Sequence, residues 1–219
     1  MIQLDVISDP ICPWCYIGKT NLETALREKG FNPFDIFWRP FQLNPDMPDG
    51  GMDRRAYLAA KFGAERAEKF YKQIEEHAKS VGLDLRFDRI ETTPNTFDAH
   101  RLIRWSRSAA AQNEVVDRLF RLYFIDGADI GDRDLLLDVA EGVGMERAVV
   151  ARLYEGDADR ELVQNEEATA REIGVNGVPT FIVAGKHVVT GAQPPDLWAR
   201  VLDELRASAT EPAGAEGSA

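Results

Sequence analysis

Cys12 and Cys15 are the only two cysteines of the chain, and they stand in the run Cys12-Pro13-Trp14-Cys15. A thiol in its ionised form is the nucleophile that opens disulfides. A short apolar segment precedes the pair and a helical pattern follows it. A thiol at the first turn of a helix faces unpaired backbone N–H groups and the positive end of the helix dipole, and both favour thiolate. One helical turn separates the two sulfurs, within the roughly 4.4–6.8 Å between Cα atoms that a disulfide spans. The pair can therefore open and close a disulfide with little backbone movement. Cys12, at the helix entrance, is expected to be the more exposed thiol and the nucleophile; Cys15, one turn in, is expected to resolve.

Other readings of the pair are weaker. A structural zinc site takes four ligands, and His77, His100 and His187 show no paired spacing, so no metal is expected. A disulfide across two residues closes too small a loop to stabilise much. Two inert core thiols remain an alternative, since free cysteine is often buried. Pro13 argues against it, because proline suits the first helical position and so puts Cys12 at the helix entrance.

The net charge of −11 disfavours nucleic acid, whose phosphates need a basic surface, and an anionic membrane. No apolar run is long enough to cross a bilayer. The opening residues lack the basic, then apolar, layout of a secretory leader. The expected compartment is the cytoplasm, where a Cys-x-x-Cys pair is more often catalytic than structural.

The elements that must position the pair follow from periodicity. Ile2–Ser8 alternates and reads as a strand. Pro13 to Lys29 reads as a helix ended by Gly30. Phe34–Phe41 reads as a second strand. Helical spacing then covers Arg54–Val81, Thr96–Ala111, Asn113–Phe124, Asp132–Gly142, Glu146–Tyr154 and Asp157–Ile173, with Asp53, Asn95 or Thr96, Asp132 and Asp157 as caps. Thr180–Ala184 and His187–Thr190 form a hairpin about Gly185-Lys186, and Asp196–Arg206 is a last helix. The layout is β-α-β, a helical block, then β-β-α. It predicts an α/β sheet domain (1–48 with 174–208), interrupted by a helical insertion (49–173), with a disordered tail at 209–219.

Four further stretches join the first. They are Arg39-Pro40-Phe41-Gln42-Leu43-Asn44-Pro45; Asn95-Thr96 with Ala99-His100-Arg101-Leu102; Gly174-Val175-Asn176-Gly177-Val178-Pro179-Thr180-Phe181; and Gly191-Ala192-Gln193-Pro194. With Asp9-Pro10-Ile11-Cys12-Pro13-Trp14-Cys15-Tyr16-Ile17-Gly18, they resemble the DsbA-like thiol oxidoreductases of the thioredoxin superfamily, in the FrnE-like subgroup. The resemblance runs from about Ile2 to Arg206. It implies a thioredoxin-like fold with a large inserted α-helical domain. It also implies a cis Val178–Pro179 bond facing the cysteines, with the Val178 backbone offered to an extended substrate.

The function expected is thiol–disulfide exchange with protein or small-thiol substrates, glutathione among them, with no metal or organic cofactor. Pro13 and Trp14 would tune the site, with Trp14 either a substrate platform or packed under the helical insertion. Tyr16 and Phe41 carry the same ambiguity. His100 is either a buried, hydrogen-bonded side chain or a group lining the cleft. Arg39 either approaches Cys12 or lies at the surface. A second expectation is glutathione-dependent chemistry. Kappa-class glutathione transferases and 2-hydroxychromene-2-carboxylate isomerases resemble this architecture but typically carry serine in place of Cys12. A third, a peptide-binding module, leaves the cysteine pair unexplained.

Overall fold

The computed structural model describes residues 1–210. Its main sheet has the order β2-β1-β5-β6. β1 (Ile2–Ser8) runs parallel to β2 (Phe34–Pro40), Ile2 opposite Phe34 and Ser8 opposite Pro40. Parallel neighbours need a crossover, and α1 (Pro13–Lys29) supplies it. Gly30 ends α1 at φ 70, the left-handed conformation glycine adopts freely. On the other side β1 pairs antiparallel with β5 (Thr180–Val183), Val6 opposite Phe181. β5 then turns into β6 (His187–Thr190).

Helices α2 (Arg54–Phe62), α3 (Ala64–Ser80), α4 (Phe97–Trp105), α5 (Gln112–Arg121), α6 (Arg133–Gly142), α7 (Arg147–Glu155) and α8 (Arg160–Glu172) lie between β2 and β5 in the chain, and α9 (Pro195–Thr210) follows β6. One continuous apolar core joins sheet residues such as Leu4, Val6 and Phe181 to Val115, Leu119 and Phe120 of the helical block. Tyr16 on α1 stacks on Phe120 with ring centroids 5.0 Å apart. β2 is a sheet edge, and its unpaired backbone groups need partners. The Gln112 amide provides them: Trp38 N–H donates to its Oε1 at 3.0 Å, and its Nε2 donates to the Trp38 carbonyl at 3.3 Å.

Several expected boundaries move. The helix expected over Arg54–Val81 breaks into α2 and α3 at Gly63, whose φ of 77 and ψ of 141 lie outside helical space. A two-stranded ribbon of β3 (Met52–Asp53) and β4 (Thr92–Thr93) brackets that pair, too short to leave a periodic signal. The helix expected over Thr96–Ala111 ends at Trp105. That expected over Asn113–Phe124 starts at Gln112 and passes at Leu122 into a π-helical turn, Leu122–Asp126. Arg160 replaces Asp157 as the start of α8. The hairpin turn contains the expected Gly185-Lys186 and takes in Ala184 as well, because β5 ends at Val183; Ala184 and Gly185 are at positive φ. Ala209 and Thr210, read as tail, belong to α9; the rest of that segment, 211–219, lies outside the described residues.

Candidate active site

Cys12 is the N-cap residue of α1, extended at φ −88 and ψ 113, and Pro13 opens the helix. Its N–H donates to the Asp9 carbonyl at 2.9 Å, and its own carbonyl accepts from Cys15 N–H at 3.0 Å. Both cysteines are free thiols. Cys12 is 4 % exposed and Cys15 1 %. Cys12 is the more exposed of the two, as expected, yet both residues are buried. The cause is α3, which lies over the entrance of α1. Trp14 meets the edge of His77 at 5.2 Å, and Ile74 and Ala78 are buried in the same core as both cysteines. Trp14 is thus packed under the helical block.

Burial, and then the adjacent Cys12 thiol, push the Cys15 pKa well above the ordinary thiol value.

The Cys12 Sγ also lies 3.5 Å from the Val178 carbonyl, as donor. The Val178–Pro179 peptide bond is cis. Pairing of Ile7 with Thr180 carries this loop to the end of β1 where the cysteines begin. Gly18, one turn beyond Cys15, permits the approach: a Cβ there would stand 3.0 Å from Pro179 Cγ and 3.3 Å from Phe181 Cζ. On the outer side of the loop is a cavity of about 390 Å³ lined by Val178, Pro179, Ile182 and Val188.

Beneath the thiols lies an acid that periodicity did not single out. Asp9 is fully buried. Its Oδ2 accepts from Leu43 N–H at 2.7 Å and its Oδ1 from Ile11 N–H at 3.4 Å. Burial outweighs these bonds and one from Thr96, and raises its pKa to about 7. Its neighbour His100 is 2 % exposed. Burial depresses the imidazole to about 3, although it donates to the Phe41 carbonyl. His100 is the buried, hydrogen-bonded side chain of the two readings.

The remaining expected residues divide. Arg39 is occupied by Asp5 at 2.7 Å and Glu166 at 3.5 Å, which gives it a structural role beside the sheet. Phe41 is buried under Arg171, whose Cζ is 4.1 Å from the ring. Thr96 holds the N-cap position of α4 without a side-chain cap; its hydroxyl serves Asp9 instead. Asn95 Oδ1 accepts from Phe97 N–H at 2.9 Å. A second cavity of about 920 Å³ includes neither thiol and is lined by Arg133, Arg160 and Arg171 among carboxylates. Among the described residues no group of three or more His, Cys, Asp or Glu side chains could hold a metal ion, and no helix is long and apolar enough to cross a membrane.

A crossover β-α-β unit, an antiparallel hairpin and a helical cover around a buried dithiol define a thioredoxin-type protein. Residues 3–203 match the DSBA-like thioredoxin domain, and the chain belongs to that family. It is 26% identical over 208 residues to the uncharacterized protein YwbO of Bacillus subtilis (strain 168), covering 93% of this chain and 96% of that one. It superimposes on a probable DsbA oxidoreductase, SCO1869 from Streptomyces coelicolor, with a TM-score of 0.85 and 27% identity, over 100% of this chain and 99% of that one. A 2-hydroxychromene-2-carboxylate isomerase shares the fold at a TM-score of 0.72 and 17% identity, over 95% of this chain and 100% of that one.

Proposed function

We propose that this protein exchanges disulfides with protein or small-thiol substrates, glutathione among them, through Cys12 and Cys15. The observation that carries the reading is Cys12 at the N-cap of α1, its sulfur 3.5 Å from the Val178 carbonyl beside the cis Val178–Pro179 bond, with Cys15 one turn further into the helix. In this reading Cys12, at the helix entrance, is the nucleophile, and Cys15, whose pKa burial raises, is the resolving thiol. As a reductant, the Cys12 thiolate attacks a substrate disulfide, forms a mixed disulfide and expels one substrate thiolate. Cys15 then loses its proton, attacks the Cys12 sulfur and expels the second. Two electrons pass from the dithiol to the substrate, and no metal or organic cofactor takes part. In the reverse direction a substrate thiolate attacks the Cys12 sulfur of the disulfide. Val178, beside the thiol, offers its backbone to an extended substrate, with Pro13, Trp14 and Pro179 shaping the site. The cytoplasm suits a protein whose only cysteines are this reactive pair.

The test is reduction of insulin disulfides by the wild-type protein and by Cys12→Ser. The wild type should reduce insulin and the variant should be inactive; full activity in the variant rejects the reading. The fold shared with 2-hydroxychromene-2-carboxylate isomerase favours a second reading, glutathione-dependent isomerisation or transfer. Turnover of an aromatic chromene acid with catalytic glutathione, surviving Cys15→Ser, would select it.

A further inference from the structure

The cavity of about 920 Å³ that includes neither thiol is large enough for a small ligand, since such sites run to roughly 300–1,000 Å³. Two stretches of chain divide it from the acid beneath the cysteines. Gln42 and Asn95 line the cavity; the residues that follow them, Leu43 and Thr96, hold Asp9. Gln42 Nε2 donates to Asn95 Oδ1 at 3.2 Å and joins the two stretches.

The cavity carries charge of both signs, and part of it is spent. Asp98 accepts from Arg101 at 2.9 Å and from Arg133 Nε at 2.7 Å. Glu167 Oε1 accepts from Gln42 N–H at 3.0 Å and from Arg171 Nη2 at 2.6 Å. Arg133 and Arg160 are less committed. Among the described residues the Nη groups of both donate no hydrogen bond, and Arg160 meets a carboxylate only at 3.8 Å, that of exposed Asp157. Rings hold them in place: Arg160 Cζ lies 4.7 Å from the Phe97 centroid and Arg133 Cζ 5.7 Å from that of Tyr154. Arg133 opens α6 and Arg160 opens α8. At a helix start the dipole adds to positive potential, so this part of the lining favours an anion.

The loop Pro45-Asp46-Met47-Pro48-Asp49 brings the opposite sign. Asp46 and Asp49 line the cavity and enter no ion pair among the described residues. The loop is fixed in place: Met47 is 7 % exposed, its N–H donates to the Asn44 carbonyl at 3.1 Å, and its carbonyl accepts from Asn95 Nδ2 at 2.7 Å. Between the charged parts the lining offers the amides of Gln42, Asn95 and Gln164, groups that both donate and accept and so suit peptide bonds.

We propose that this cavity is a second binding site, for a short peptide with free termini. The carboxylate end lies against Arg133 and Arg160, the ammonium end against Asp46 and Asp49, and the side-chain amides meet the peptide groups between. Guanidiniums fixed on rings and a loop fixed by Met47 need little reordering to bind. The site needs no thiol on the ligand and is independent of disulfide exchange.

The test is titration of the ¹⁵N-labelled protein with tri-L-alanine, its N-acetyl form and its C-terminal amide, followed through backbone amide shifts. The free tripeptide should shift the signals of Gln42, Asn95 and Gln164 saturably, in the millimolar range. Each blocked form should bind about tenfold more weakly, the loss expected for one charged hydrogen-bonding end. Arg133→Gln with Arg160→Gln should weaken the free tripeptide about tenfold and leave the C-terminal amide unaffected, while lysine at both positions keeps affinity within about threefold. Asp46→Asn with Asp49→Asn should weaken the free tripeptide and leave the N-acetyl form unaffected. No saturable shift at about 20 mM peptide overturns the proposal. So does equal binding of the three peptides, a comparison that needs no variant, and so does an affinity that neither pair of substitutions changes.

Discussion

His100 Nε2 lies 3.8 Å from Asp9 Oδ1, both groups being sealed from solvent. This nitrogen has no hydrogen-bond partner, because the other ring nitrogen carries the proton given to Phe41. A proton on Asp9 would face it. Burial raises Asp9 to about 7 and lowers His100 to about 3.

The pH dependence of stability follows with opposite signs. Asp9 goes from 3.8 unfolded to about 7 folded, so between those values the folded state binds more protons and stability falls as pH rises. His100 goes from 6.5 unfolded to about 3 folded, so there the unfolded state binds more and stability falls as pH drops. Between about pH 4 and 6.5 the two slopes cancel. Asp9→Asn should leave a protein that loses stability on acidification below pH 6.5, and His100→Asn one that loses it as pH rises from 4 to 7. Each isolated slope approaches about 1.4 kcal/mol per pH unit. Urea titrations across pH measure this, and parallel profiles for the two variants would refute the opposite shifts.

Cys15→Ser should accumulate mixed disulfides on Cys12 during reaction, since the resolving thiol is gone. Mass spectrometry of the protein after exposure to oxidised glutathione should find one adduct, on Cys12. An adduct-free protein would contradict the assigned order of attack.

Gly18→Ala should destabilise the fold and slow exchange. The new methyl would press on Pro179 and Phe181. Overpacking costs about 1–3 kcal/mol, against about 1 kcal/mol gained in helix propensity. Because the pressure falls on the residue after Val178, it displaces the carbonyl that faces Cys12. A variant as fast and as stable as wild type would show that the approach of α1 to this loop is not restrictive.

His77→Ala should expose Cys12 without unfolding the protein. His77 is a surface residue whose ring edge covers Trp14, so the stability change should stay within about 0.5 kcal/mol. Alkylation of Cys12 at fixed pH should quicken severalfold. An unchanged rate would mean that α3 does not control access.

The sequence made the local features readable: Pro13 at the first helical position, the alternation of Ile2–Ser8, the cap at Asp132, the spacing of the two cysteines. These depend on neighbours within a turn or a pleat. Asp9 was not recognised as part of the site, nor Arg54 as a buried cation, because distant residues decide their burial. Asp9 looks like a polar strand end until Leu43 and Thr96 close over it. Arg54 looks like an ordinary surface cation until Tyr71, Phe87 and Tyr123 enclose it. A clue was available at Asp9, a lone acid inside the apolar run Ile7-Ser8-Asp9-Pro10-Ile11. Gly63 offered another, since a glycine within a long helical pattern marks a break when its backbone leaves helical space.

The carbonyl of Val178 and the sulfur of Cys12 are 166 positions apart. A ribosome therefore releases both thiols on the order of ten seconds before the strand that shelters them exists. For that interval β1 has no neighbour on one side, and the sulfurs meet the oxidants and thiols of their surroundings bare. Each new molecule thus passes through a stage in which its dithiol is synthesised and its shelter is not.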